Sequence, residues 1–543
     1  MTKSRCLLIA CLTLLLACPT FSQDARLGRV EMANSGAPAA QEPFLAGLAA
    51  LHSFFYDEAA DLFREAQRRD PGFALAYWGE AMTHNHPIWQ EVELEAGREA
   101  LAKLAPTAAE RSAKAPTERE KLYLAATEAL FGEGEKDARD EAYRAAMERI
   151  WRGFPGDREA AAFYALALQG LQRPGKMDFR RQMESAAILE PVFAANPLHP
   201  GAAHYLIHAY DDPTHAPLGL RAARVYAEIA PAAHHALHMP SHIFVQLGMW
   251  PEAAASNRAA YDASVAWVAR RGHSLAKRDF HSLTWLHYTL LQLGRRQEAA
   301  ALFEVAKEAA GQARADQALI AMGVRHAVET GESLLSEISP SLAEEGGGHA
   351  ACATPAGGYR DPSQGAAFAR GLLAVRDGRR EAAEAARAEL EVAAAGADGQ
   401  TAKLLQVLER ELAGLISLAE KHTEEGLARL AEAATLEAKL DFPSGPPEPV
   451  KPAHELYGEA LLAAGRPAEA RRELEQALAR TPGRPAALLA LARAAHAEGD
   501  TATARRLYAR LAEIWRGADA GLPEVAEARA GGAVGATQAS HSP

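Results

Sequence analysis

At 543 residues, with 48% hydrophobic and 24% charged side chains, the chain has the composition of a folded protein too long for one compact core, so several domains or a repeat array is expected. Its formal net charge of -12, without any basic run of five residues, argues against nucleic acid as a partner, because phosphate binding needs clustered positive charge.

At the N-terminus, Lys3 and Arg5 precede an apolar run from Cys6 to Ala17 that is too short to span a membrane. Thr20-Phe21-Ser22 supplies small residues for cleavage, so residues 1–22 read as a signal peptide and the mature chain as exported, periplasmic or extracellular. The alternative is a lipoprotein box, Leu15-Leu16-Ala17-Cys18, with a lipid anchor at Cys18; Pro19 directly after the cysteine disfavours it. Cys6, Cys11 and Cys18 all lie in this segment, which leaves Cys352 alone in the mature chain and excludes an intramolecular disulfide. No later segment is apolar enough to be a transmembrane helix.

From Pro43 onward, Ala, Leu, Glu and Arg dominate and β-branched alternation is absent, which predicts helices nearly throughout. "FLAGLAALHSFFYDEAADLFREAQRRDP" places Gly47, Ala59, Phe63, Ala66 and Pro71 at regular small, aromatic and stop positions. The region from about Ala100 to Pro191 is less regular, but Thr117-Glu118-Arg119-Glu120 predicts a capping box at a helix start. "LGMWPEA", "LGRRQEA" and "RDGRREAA" mark inter-helix turns at Gly248, Gly294 and Gly378. Two breaks follow, a Gly/Pro-rich loop or linker over 336–366 and a Pro-rich linker over 441–452, which flank a helical segment at 367–440. Over 453–516 the periodicity is plain: Gly465 to Gly499 and Ala470 to Ala504 are each 34 residues apart. The tail, 517–543, lacks apolar periodicity and is expected to be disordered.

A helix–turn–helix unit of 34 residues resembles the tetratricopeptide repeat (TPR), which implies an all-α, TPR-type α-solenoid, with its N-terminal part over residues 40–335. The motifs "NHPIW", "HPGAAHYLIHAYDDP" and "HALHMPSHIFVQLGMW" also resemble those of exported bacterial TPR proteins to which no activity is attached.

Histidines concentrate in one stretch, with eight of the chain's 20 between His199 and Phe244. His204 and His208 are four apart and so share a helix face, as do His238 and His242. The two pairs are themselves separated by the 34-residue period. In TPR register both pairs fall at first-helix positions five and nine, which in that family line the concave groove. His235 and His281 fall at position two, and Asp211 and Asp212 at twelve and thirteen. The same counting puts Trp78, Asn85 and His86 on the groove near the N-terminus, and Glu455 and Glu459 near the C-terminus.

Two i,i+4 histidine pairs on neighbouring helices suit a transition metal, and without thiolates the set fits Zn, Cu or Fe. The expected metal ligands are His204, His208, His238 and His242, with His235, Asp212, His281 and His86 as further ligands or supporting groups. His287 is expected in the core. Two other functions fit the same residues: a metal-independent scaffold that grips a protein or peptide partner, and a metal-dependent hydrolase or oxidase. No G-x-S-x-G, P-loop, H-E-x-x-H or C-x-x-C motif supports a common enzyme class.

Overall fold

The computed structural model describes residues 25–173, 175, 178–335 and 362–533. The expected signal peptide, the Cys18 anchor, Cys352 and most of the Gly/Pro-rich loop lie outside these residues. Within them, short turns fold helix after helix back on its predecessor, as in Pro38–His52 with Tyr56–Arg69 and Pro467–Arg480 with Pro485–Ala497. The result is an all-α, TPR-like solenoid. One short exception is a two-residue antiparallel pairing of Asn85–His86 with Glu91–Val92.

Local chemistry accounts for the element ends. Thr117 and Glu120 form the predicted capping box, and Thr107 with Glu110 forms another. Gly248, Gly294, Gly378, Gly465 and Gly499 all have φ between +66° and +82°, a left-handed conformation that ends a helix at little cost only for glycine. Gly248 has a second constraint: a Cβ there would stand 2.9 Å from the Cα of Gly483, so two distant repeats meet backbone to backbone.

That contact belongs to a larger closure. Trp250 Nε1 donates to the Gly483 carbonyl at 3.0 Å, Trp515 Nε1 to the Gln292 carbonyl at 3.0 Å, and the Asp519 amide to the Gly294 carbonyl at 3.0 Å. The C-terminal repeats thereby buttress the turns of the central ones.

Several expectations are corrected here. Residues 441–452 are not a linker running between domains but a strap seated in the interior. Gln246 Nε2 donates to the Pro443 carbonyl at 2.7 Å, and Arg325 donates to the carbonyls of Pro447 at 2.5 Å and Val450 at 3.2 Å. Extended, proline-rich backbone makes few bonds to itself, so side chains from the walls satisfy its buried carbonyls. The tail is ordered further than expected, because Pro523–Ala533 is a helix with Val525 and Ala528 buried and Glu527 paired with Arg493 at 2.6 Å. It covers the apolar side that a last repeat otherwise leaves exposed. Trp78 does not line a groove. It is fully buried, with its ring edge-on to Tyr123 and Phe163 at 5.4 Å each.

His287 is in the core as expected, yet among the described residues neither of its ring nitrogens has a hydrogen-bond partner. Burial, with His326 and Arg325 nearby, pushes its pKa down to about 3. The unfolded chain therefore binds a proton between about pH 3 and the ordinary value of 6.5 that the folded chain does not. This one group lowers stability by about 1.4 kcal/mol per pH unit as pH falls through that window. His287→Leu is expected to raise stability at neutral pH by about 1–3 kcal/mol by removing unpaired buried nitrogens. It is also expected to flatten the acid limb; chemical denaturation at pH 7 and pH 5 checks both.

Candidate metal centre

The helix Pro200–Ala209 carries His204 and His208, and starts where His199 Nδ1 accepts the Ala202 amide hydrogen at 3.1 Å. His235 and His238 lie on His234–His238, and His242 on Pro240–Gln246. Pro240 removes one amide donor between these two helices, but Met239 keeps helical angles (φ -53°, ψ -36°), so the His238–His242 spacing still spans one face. His281 is the second residue of Phe280–Gln292, where Asp279 caps the helix by accepting from the Ser282 amide at 2.9 Å.

These six imidazoles assemble into two triads. In the first, His204 Nε2 lies 3.1 Å from His208 Nε2 and 3.2 Å from His235 Nε2. In the second, His238 Nε2 lies 3.1 Å from both His242 Nε2 and His281 Nε2. Three nitrogens bonded to one ion at about 2.0–2.1 Å with tetrahedral angles stand about 3.3 Å apart, so these four contacts are close to the required size, and the remaining edge of each triad is within 4.8 Å.

In three of the six rings the opposite nitrogen is anchored. His204 Nδ1 lies 2.7 Å from the His52 carbonyl oxygen, an acceptor with no hydrogen to offer. His238 Nδ1 lies 2.6 Å from Asn257 Oδ1, and Asn257 is oriented by donating from Nδ2 to the Ala253 carbonyl at 2.8 Å. Both histidines must therefore carry hydrogen on Nδ1 and present the Nε2 lone pair inward. His242 Nδ1 is 2.7 Å from Asp211 Oδ2, and Gln246 Nε2 donates to Asp211 Oδ1 at 3.2 Å. Partners of this kind fix ring orientation and tautomer at metal sites.

Burial, reinforced by the neighbouring imidazoles, holds His204, His208, His235 and His238 well below the ordinary histidine pKa and His242 at about 3. Burial lowers His281 too, although Asp279 opposes it. All six are neutral at pH 7, the form that binds a metal. Burial likewise raises Asp211 to about 7, so low pH favours an uncharged His242–Asp211 pair.

A third cluster, His52, Glu159 and His199, is also compact, but its groups bond mainly to one another and to nearby backbone. Glu159 accepts from His52 Nε2 at 2.6 Å and from the Glu31 amide at 3.2 Å, and His199 Nε2 lies 3.3 Å away. His52 Nδ1 meets the Tyr205 hydroxyl at 2.9 Å, and His199 Nδ1 accepts the amide hydrogen that caps its helix. His199 Nε2 makes no hydrogen bond of good geometry, but both nitrogens of His52 are engaged, so the cluster reads as a hydrogen-bond network behind the first triad.

Residues 461–519 match the tetratricopeptide repeat family model. Over these residues the chain carries tetratricopeptide repeat sequence. No curated protein matches the sequence. Similar solved structures include yeast Tom70 (13% identity, TM-score 0.28, covering 91% of this chain and 88% of that one) and the APC/C hetero-tetramer Cut9-Hcn1 (10%, 0.32, 92% and 77%). A human IFIT1 dimer with PPP-AAAA is another (12%, 0.35, 88% and 91%).

Against the TPR register, the sequence-derived site residues divide. His204, His208, His238 and His242 face one interior region, but each pair joins a third histidine, giving two sites of three in place of one site of four. His235 and His281, both at position two, supply those third nitrogens. Asp211, not Asp212, reaches the cluster; Asp212 turns away to bond His215 Nδ1 at 2.7 Å and the Thr214 amide at 2.8 Å. The His86 ring lies tilted against that of Tyr56, 4.2 Å away centroid to centroid, and its Nε2 meets the Thr83 carbonyl at 3.1 Å, outside both triads. Asn85 is buried in the short β pairing. Glu455 and Glu459 are held by Lys451 at 2.7 and 2.8 Å and belong to neither triad. The face is also not a fully open groove, since His204 and His238 are fully buried and His242 nearly so, while His208, His235 and His281 are half-buried. Asn257, Phe54 and the His52 carbonyl were not legible in the sequence, because no spacing rule links them to the histidines.

Proposed function

We propose that this exported TPR protein binds transition-metal ions through its two histidine triads. The observation that carries the reading is the convergence of three Nε2 atoms in each triad while Nδ1 of His204 and His238 is committed to an outside acceptor. With only imidazole in either triad, copper and zinc fit better than iron, whose three-residue sites commonly include a carboxylate. Export rests on the sequence of residues 1–22, and no helix among the described residues is long and apolar enough to cross a membrane.

Elemental analysis of natively purified protein tests the proposal. Copper or zinc is expected at one equivalent or more per chain, and His204→Ala/His238→Ala is expected to lose it. A wild-type protein without metal, unable to bind added ions, overturns the reading. The repeat match over 461–519 favours a second role as a scaffold for a protein partner, which a metal-independent pull-down of that partner would support.

A further inference from the structure

We infer that the two triads form one dinuclear centre, in which two ions share a small bridging anion such as hydroxide; this rests on the metal-binding reading above. The first support is spacing. Within the triads, the His204 ring centroid lies 4.8 Å from His208 and 5.0 Å from His235, and that of His238 lies 4.9 Å from His242 and 4.6 Å from His281. Between the triads His208 and His242 are 5.9 Å apart, and His235 and His238 are 6.1 Å apart. The triads are therefore immediate neighbours.

The second support is the placement of the walls. Phe54 covers the first triad, 4.4 Å from His204, 5.5 Å from His235 and 6.1 Å from His208, and Tyr226 stacks on His204 at 5.3 Å. Trp285 covers the second, at 4.5 Å from His242, 5.0 Å from His238 and 5.4 Å from His281. Phe54 holds this place at φ +52°, a left-handed conformation a bulky residue adopts only when its surroundings impose it. Three protein ligands leave each ion an open position, and these aromatic walls leave the boundary between the triads as the side on which both positions meet.

The third support is charge. Two divalent ions bring four positive charges onto six neutral rings. The carboxylates beside them are Asp211, on His242, and Asp279, which lies 3.3 Å from His234 Nδ1 and acts on His238 and His281. A centre with three of its six rings buried and three half-buried, and with so little compensation, is costly, and an anion shared by both ions reduces that cost where it arises.

The test is a Cu(II) titration of the metal-stripped full chain, followed by quantitative electron paramagnetic resonance. The expected result is two copper ions per chain with most of the spin signal lost, because a bridged pair couples magnetically. H281Q and, independently, H208Q are each expected to leave one copper per chain with its full signal, while circular dichroism verifies the helical fold. One copper per wild-type chain overturns the dinuclear centre and leaves the metal-binding reading standing. Two coppers with full spin intensity do the same. No copper bound overturns both.

Discussion

Copper or zinc added to the metal-stripped protein is expected to raise its unfolding free energy by about 4 kcal/mol for each site filled once free ion reaches about 1,000 times Kd. The gain arises because the triads exist only in the folded chain: His235 is 31 residues from His204, and His281 is 43 from His238. An unfolded chain keeps only the i,i+4 pairs near one another. His204→Ala/His208→Ala/His238→Ala/His242→Ala is expected to show no such gain, although its metal-free stability falls through lost packing. Thermal melts across an ion series, for the wild type and this variant, separate the two effects. The metal-binding reading fails if the wild-type midpoint is independent of ion concentration.

Arg484→Met is expected to destabilise the protein by about 3–5 kcal/mol, because it leaves buried carboxylates without their counter-charge. Arg484 is 1% exposed. It donates to Glu455 from Nε at 2.7 Å and from Nη2 at 3.2 Å, and its Nη1 lies 2.8 Å from Glu329 Oε1 and 3.3 Å from the Tyr288 hydroxyl. After the substitution Glu455 keeps only Lys451, which it shares with Glu459, and Glu329 loses this partner outright. The same guanidinium reaches from the C-terminal repeats to Phe280–Gln292, the helix that carries His281, so the loss should loosen the second triad's support as well. Denaturant midpoints at unchanged slope measure the cost. Arg484→Met with Glu455→Met should cost less than the sum of the two single changes, since it removes the charge pair as a unit.

The periodic features were legible in the sequence. Turn glycines such as Gly248 and Gly465 take the left-handed conformation their positions demand, and Thr117 and Glu120 close their capping box. These depend on a few adjacent residues and on helix geometry. Features set by distant packing were not legible. The proline-rich stretch 441–452 looks like a linker by composition, but Gln246 and Arg325 draw it inside. Trp78 sits at a groove position by register, yet Tyr123 and Phe163 enclose it.

The histidines divide in the same way. By itself the sequence determined that His204 and His208, and likewise His238 and His242, share a face at one repeat register, because 3.6 residues per turn and a 34-residue period leave no alternative. Only the tertiary structure decided that His235 completes the first pair and His281 the second, that Asp211 and Asn257 hold the rings, and that Asp212 points elsewhere. Those choices depend on the rotation from one helix pair to the next, which accumulates from many small packing contacts along the solenoid and is written in no single segment of the chain.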